Sequence, residues 1–190
     1  MKSGYVVIMI TAMLLLITGC NKEDFFGEEP EVDLKSAELK MLPVSWDLQV
    51  VLTEFEFING RPTPTGGPVE GILSHLGKLK EGSYWKAYRY IRNDDIFPST
   101  VDYGISGKLV AANGDELYFT TEGFIYHLGP VEAKWEGMMY FSGGTGRFEY
   151  VVGEVESFGW LTRDENGIPY SLAMHLEGEL SGVGSSKKYW

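Results

Sequence analysis

An all-β fold, closing as an eight-stranded antiparallel barrel, is what the chain predicts from about Met41 onward, and three observations carry that expectation. Apolar and polar residues alternate with a period of two over short runs, the pattern of strands that bury one face. Turn-forming residues separate those runs. No long stretch repeats its apolar residues at helical spacing, whereas 24 glycines and a 14% aromatic content suit pleated, tightly turned backbone better than helices.

Eight strands are expected, near Leu48–Ile58, Val69–Leu79, Ser83–Arg92, Val101–Ala111, Glu116–His127, Val131–Phe141, Arg147–Leu161 and Ile168–Ser181. Between the first two, Pro62, Pro64, Gly66 and Gly67 predict that Asn59–Pro68 is an irregular loop. Asn113-Gly114, after the fourth, is a strong hairpin signal. Gly143-Gly144-Thr145-Gly146 turns the sixth strand into the seventh, and Asn166-Gly167 closes Arg163-Asp164-Glu165 into a longer hairpin loop before the eighth. In the last strand Ile168, Tyr170, Leu172, Met174, Leu176 and Leu180 share one face, and Pro169, Ser171, His175, Glu177 and Glu179 share the other. Phe148, Tyr150, Val152, Phe158 and Trp160 are expected to form the apolar face of the seventh strand in the same way. An open sheet would leave two exposed edges; closure into a barrel removes them, with a two-sheet sandwich as the alternative. An eight-stranded barrel is just wide enough for side chains or for one small ligand.

Ahead of this domain the chain changes character. A single Lys2 precedes an apolar run from Tyr5 to Ile17, and Leu16-Ile17-Thr18-Gly19-Cys20 leads through two small residues to the only cysteine. The run falls short of the roughly 20 apolar residues of a spanning helix and has the charged start and apolar core of an export signal. The Gly19-Cys20 junction resembles the lipobox of a bacterial lipoprotein. That resemblance implies a signal peptide over residues 1–19, cleavage between Gly19 and Cys20, and lipid attachment at Cys20. The product would be anchored in the bacterial cell envelope, at the outer membrane. The several acyl chains such processing adds suffice for stable anchoring. Residues 20–40 read as an acidic tether, since Asn21–Lys40 carries seven acidic and three basic residues and is interrupted by Gly27 and Pro30. Its start, Asn21-Lys22-Glu23-Asp24, resembles a surface-display signal of some lipoproteins, and a short helix over Leu34–Leu42 is compatible with the pattern. Residues 41–190 then form one domain.

The formal charge is −11, and it becomes −12 once a leader holding only Lys2 is removed. This balance argues against nucleic acid as a partner, since binding it takes clustered Lys and Arg, and against a basic face pressed onto anionic lipid. With its one thiol at the anchor, the domain has no disulfide and rests on its core alone.

Phe141-Ser142-Gly143-Gly144-Thr145-Gly146-Arg147-Phe148, with Gly153 beyond it, resembles a signature of the allene oxide cyclase and dirigent superfamily. In those barrels a Gly-Gly-Thr-Gly-(Arg/Lys)-Phe turn joins two late strands. Gly71–Lys78 and Gly107–Leu117 resemble bacterial relatives of that barrel, so the likeness runs from about Gly71 to Gly153. It implies the eight-stranded barrel and makes Gly143, Gly144, Thr145, Gly146, Arg147 and Phe148 a fold-signature turn. The trimers of plant relatives extend the expectation to oligomeric state. No catalytic residue is carried over: the pocket residues of the cyclases and the paired aspartates of dirigent pockets cannot be placed, and Asp94-Asp95 are adjacent, so a strand would point them to opposite faces. The expected function is a small-ligand-binding or interaction module without a cofactor. Its ligand would be apolar or aromatic; the alternative is a cyclase- or isomerase-type enzyme using the barrel cavity.

Other constellations carry less. His75, His127 and His175 each precede a leucine, but parity puts His75 with Leu73 and Leu79, His127 with Phe119 and Ile125, and His175 with Glu177 and Glu179 on a polar face, so no metal site is expected. Glu54/Glu56 and Glu154/Glu156 read as solvated strand faces; acid–base work would need one of a pair buried. The glycines at 143–146 lack the Lys-Ser/Thr of a phosphate loop, and no Ser-His-Asp or Cys-His set can be argued. Trp85, Tyr84, Tyr88, Tyr90, Tyr118, Tyr126, Trp135, Tyr140 and Trp160 either fill the core and pair across strands or line a stacking cavity.

Overall fold

Alternation of apolar and polar residues becomes an antiparallel all-β sheet in the structure, a computed structural model that describes residues 41–181. The leader, Gly19 and Cys20, the acidic tether and residues 34–40 of the expected short helix lie outside that range. The helix's last two residues, Met41 and Leu42, open a strand instead. The strands are β1 (Met41–Val51), β2 (Glu54–Ile58), β3 (Arg61–Leu73), β4 (Gly77–Lys78), β5 (Tyr84–Asn93), β6 (Ser99–Val110), β7 (Glu116–His127), β8 (Ala133–Gly144), β9 (Val152–Arg163) and β10 (Pro169–Ser181). A single 3-10 turn, Gly146–Phe148, lies between β8 and β9.

Eight strands form a ring in the order β1-β10-β9-β8-β7-β6-β5-β3, and β3 returns to β1 through Leu48↔Gly71, Gln49↔Glu70 and Val50↔Val69. The ring is barrel-like but not evenly disposed about an axis. The β3–β5 ladder is also short, Gly66↔Lys86 to Pro68↔Tyr84, while β2 and β4 attach to β3 outside the ring. Inward side chains form one apolar core in which Trp46, Trp135, Tyr103 and Phe148 are among the largest fully buried groups. Each buried indole N–H donates: Trp46 to Ser74 Oγ (2.8 Å), Trp135 to Ser157 Oγ (2.9 Å) and Trp85 to the Val51 carbonyl (3.3 Å). Burial of these rings therefore leaves no indole donor stranded.

Besides the expected strand Val69–Leu79, which ends at Leu73 and turns back as β4, four sequence expectations need correction. The run Leu48–Ile58 is two strands, β1 beginning at Met41 and β2 following Leu52-Thr53. The expected loop Asn59–Pro68 is the first half of β3, because Asn59 (φ 52°) and Gly60 (φ 73°) make a two-residue turn with both residues left-handed. That turn sets Ile58/Arg61 and Glu56/Thr63 as the bonded pairs. Pro62 and Pro64 then fall at non-bonded positions of the β2–β3 ladder, where a missing N–H costs nothing. The third correction is parity in β9. Phe148 is buried but belongs to the 3-10 turn; Val151, Val155 and Leu161 face inward, and Tyr150, Val152, Phe158 and Trp160 are exposed. In β10, Leu172, Met174, Leu176 and Leu180 face the core as expected, but a register shift between Pro169 and Ser171 leaves Ile168 and Tyr170 outside.

The Asn113-Gly114 and Asn166-Gly167 turns connect β6 to β7 and β9 to β10 as the sequence predicts, with Gly114 and Gly167 both at positive φ. The signature turn has an architectural role. Gly143 (φ 99°) and Gly146 (φ 55°) adopt left-handed backbone, and a Cβ on Gly144 would collide with the Glu116 carbonyl. Thr145 bonds a different strand rather than its own turn: its Oγ1 accepts from the Glu116 N–H (2.8 Å) and its N–H donates to the Glu116 carbonyl (2.8 Å). The Arg147 N–H donates to the Asp115 carboxylate (3.2 Å). The turn thus locks the β8–β9 connection onto the start of β7.

The corrected parity predicts opposite outcomes for two tryptophans in denaturant unfolding. Trp135→Ala lowers stability by about 3–5 kcal/mol, whereas Trp160→Ser, on the outer face, changes it by no more than about 0.5 kcal/mol. Equal losses would restore the inward placement of Trp160.

Candidate functional site

The ring has one end at which β1, β5, β7 and β9 finish and β3, β6, β8 and β10 begin, and the inward sides of β5, β7 and β9 each deliver a basic residue there. On β7 the inward series Phe119, Thr121, Ile125 ends in His127; on β9 Val155, Ser157, Leu161 ends in Arg163. On β5 the inward residues Trp85 and Ala87 are odd-numbered, but a register shift between Ala87 and Arg89 inverts the parity, so Tyr90 and Arg92 turn inward. Arg61, at the start of β3, comes from the adjacent hairpin.

The charges are unequally matched. Arg92, its side chain only 4% exposed, donates through Nε to both oxygens of Asp94 (2.9 and 3.0 Å), and Arg61 lies 3.6 Å from the same carboxylate. The Arg92 hydrogen bond, then the charges of Arg92 and Arg61 and a bond from Asn59, hold the Asp94 carboxyl below the usual range against the opposing effect of burial. Arg163 donates through Nη1 to the Gly167 carbonyl (2.9 Å) and through Nη2 contacts His127 Nδ1 (2.8 Å). Arginine has donors only, so Nδ1 is the acceptor and the neutral imidazole carries its proton on Nε2. Burial first, then the charges of Arg92, Arg163 and Arg61, push the His127 pKa from 6.5 down to about 4, with only Asp94 opposing. Arg163 is likewise lowered, by burial and by Arg92 and Arg61.

Three buried polar atoms at this end have no hydrogen-bond partner: His127 Nε2, Arg163 Nε and Thr63 Oγ1. The two nitrogens are donors aimed at nothing, and buried polar groups are ordinarily paired. Beneath them lies a cavity of about 40 Å³, apolar apart from Thr121 and Tyr103 and walled in part by Leu52, Pro64, Ile125 and Leu161. At roughly 10–15 Å³ for each water, it admits a few waters and no organic molecule as it stands. Tyr103 donates to the Pro64 carbonyl (3.0 Å), and burial raises its pKa. Around the mouth, Ile96 and Phe97 (84% exposed), Val131 and Ile168 stand exposed in the three connecting loops.

The remaining sequence candidates are dispersed. His75 is exposed in the β3–β4 turn with φ 69°, not on the face of Leu73, and His175 is on the outer face of β10. Among the described residues no three His, Cys, Asp or Glu are grouped to hold a metal. His175 does enter an arrangement that the sequence did not reveal: Nδ1 contacts Asp47 Oδ1 (2.8 Å) and Nε2 lies 3.5 Å from Ser45 Oγ. The order of atoms matches a nucleophilic triad, yet the Asp47 side chain is 91% exposed and the serine contact is too long for a strong O–H donor bond. Nothing excludes water from it, so it has none of the low-dielectric preorganisation that acyl transfer requires. Glu154 and Glu156 are exposed and sit opposite Glu179 and Glu177. Of the aromatics, Trp85, Trp135 and Tyr90 face inward, while Tyr84, Tyr88, Tyr118, Tyr140 and Trp160 face outward. The basic mouth itself was missed in the sequence; its only trace there is that Arg92 and His127 end their expected strands, whereas Arg163, expected in the hairpin loop after Leu161, is the last residue of β9.

The depressed His127 pKa makes stability pH-dependent in a definite direction. Between pH 6.5 and about 4 the unfolded chain binds a proton that the folded chain does not, so this contribution is complete above 6.5 and is lost as pH falls through that window. The unfolding free energy of His127→Gln, followed by urea titration, is expected to fall less over this interval than that of the parent chain; parallel curves would show that folding leaves the His127 pKa unshifted. Compared with known proteins, the chain matches no family model, and no curated protein matches it.

Proposed function

We propose that the chain is a lipid-anchored envelope protein whose barrel-like domain is a binding module without catalytic machinery of its own, and that its site is the basic mouth. The observation that carries this reading is the convergence of Arg61, Arg92, Arg163 and a neutral His127 on one end of the ring, with buried donors left unfilled. Binding is favoured over catalysis because the adjoining cavity offers no carboxylate and no histidine to act as acid or base. A cyclase or isomerase would need such a group beside open volume. The eight-strand ring, with the signature turn between β8 and β9, supports a barrel of the allene oxide cyclase and dirigent kind as the fold behind this function. Anchorage rests on the resemblance of Leu16–Cys20 to a lipobox.

Two measurements test the reading. Labelled palmitate is expected to enter the parent chain and not Cys20→Ser, with the variant released from the membrane fraction; equal labelling would refute the anchor. Native mass spectrometry of the protein from its own host's envelope is expected to show a bound small molecule, lost in Arg163→Gln. Unchanged binding in that variant would move the site elsewhere.

A further inference from the structure

We propose that the mouth takes an amphiphilic anion: an oxyanion head group on Arg163, His127 and Arg92, with an apolar body against the exposed loop residues above them. This rests on the mouth being the binding site and goes further by naming the ligand's chemistry. The charges acting on His127 are three guanidinium groups against one carboxylate, in a chain whose formal charge is −11. Asp94 already engages Arg92 and Arg61, so the arginine left without a carboxylate is Arg163, which among these side-chain contacts meets only the Gly167 carbonyl and His127. Arg163 Nε and His127 Nε2 are buried donors with no acceptor. An acceptor that also carries negative charge fits both needs: it fills the donors and offsets the excess positive potential.

The rim supplies the second, independent observation. Ile96, Phe97, Val131 and Ile168 come from three different loops, are all exposed, and lie at the end of the ring where Arg92, His127 and Arg163 turn inward. Exposed large apolar residues gathered about a site mark a binding surface more often than chance exposure does. A hydrophilic anion such as free phosphate would leave them idle, and a neutral apolar molecule would leave the donors unfilled. A carboxylate or phosphate on an alkyl chain or ring uses both. The floor beneath the mouth is already packed, so the apolar body lies across the rim and not down the axis.

The test titrates the full chain carrying Cys20→Ser with dodecanoate, dodecyl phosphate, dodecanol and inorganic phosphate, following heat of binding and the His127 ring resonances. Dodecanoate or dodecyl phosphate is expected to bind at least about tenfold more tightly than dodecanol or inorganic phosphate, the worth of one charge-assisted hydrogen bond. Arg163→Gln is expected to weaken the charged amphiphiles by about that factor and leave dodecanol unchanged. Phe97→Ser is expected to weaken them without altering the His127 resonances of the free protein. The bound anion adds negative charge beside Arg61, Arg92, Arg163 and Asp94, so the His127 titration moves to higher pH on binding. Binding that survives Arg163→Gln, inorganic phosphate as tight as dodecyl phosphate, or attachment only to vesicles of anionic lipid without competition by dodecanoate would each overturn the proposal. A neutral molecule carried by the native protein and lost in Arg163→Gln would overturn it while leaving the binding-module reading intact.

Discussion

Closure of the sheet between β1 and β3 is the constraint on which the rest of the molecule depends. It rests on three residue pairs, Leu48↔Gly71, Gln49↔Glu70 and Val50↔Val69, joining segments some twenty residues apart, while the remaining seams of the ring follow from hairpins and from β1 lying along β10. Without that short ladder β1 would be a free edge, β3 would keep only β2 along that side, and the inward faces of eight strands would have no common interior. With it, Trp46, Trp135, Tyr103 and Phe148 are enclosed, and the strand ends are brought round to a single mouth. The indole of Trp85 reinforces the seam by donating to the Val51 carbonyl. A closed ring also explains how a domain of this size dispenses with a cysteine: among the described residues there is none, and burial alone replaces the covalent constraint.

Closure fixes which residues can meet, and local irregularity then decides which of them point inward. In an unbroken β5 the odd residues would face the core to the end of the strand, placing Arg89 and Ile91 inside and Arg92 outside. The register shift after Ala87 reverses this, and Arg92 reaches Asp94 with almost no exposure. The short β3–β5 ladder has a related effect. Beyond Gly66↔Lys86 the two strands are not laddered, and side chains link this region instead, through Lys86 with Glu54 (3.7 Å), Tyr90 with Glu56, and Arg61 with Asp94. The mouth is therefore held by polar contacts where the backbone ladder stops, a place where ordering can be adjusted without opening the core.

How much of this was legible in the sequence follows from the range of each signal. Alternation marked β6, β7 and β10 closely, because their inward residues are large and apolar and their neighbours polar. Asn113-Gly114 and Asn166-Gly167 gave their turns for the same local reason. Alternation failed in β9, where Phe158 and Trp160 lie outside opposite small inward residues, Ser157 and Gly159, so hydrophobicity alone pointed the wrong way. It failed in β3 because prolines were counted as breakers, although the Asn59-Gly60 turn puts Pro62 and Pro64 in non-bonded positions. The basic mouth was invisible for a different reason. Arg61, Arg92, His127 and Arg163 are spread over a hundred residues, and only register, bulge and closure together bring them to one place.

Net charge illustrates the same limit of scale. An acidic total weighs against a partner as extended as nucleic acid, whose many phosphates sample the whole surface. A net total does not constrain a site smaller than the distance over which charges are screened, about 8 Å at physiological ionic strength. His127 registers the local field directly: its neutral form is favoured by burial and by three guanidinium groups, even though carboxylates outnumber bases across the chain. The exposed carboxylates, including Glu154, Glu156, Glu177 and Glu179 on the outer face of β9 and β10, lie on the other side of the sheet from the inward-facing mouth and are screened by water. For an anionic ligand they act on approach, slowing encounter at low salt, whereas the buried donors act on residence once it is seated. Affinity at such a mouth is set by the few charges that solvent cannot reach, and the acidic exterior alters chiefly the rate at which a ligand arrives.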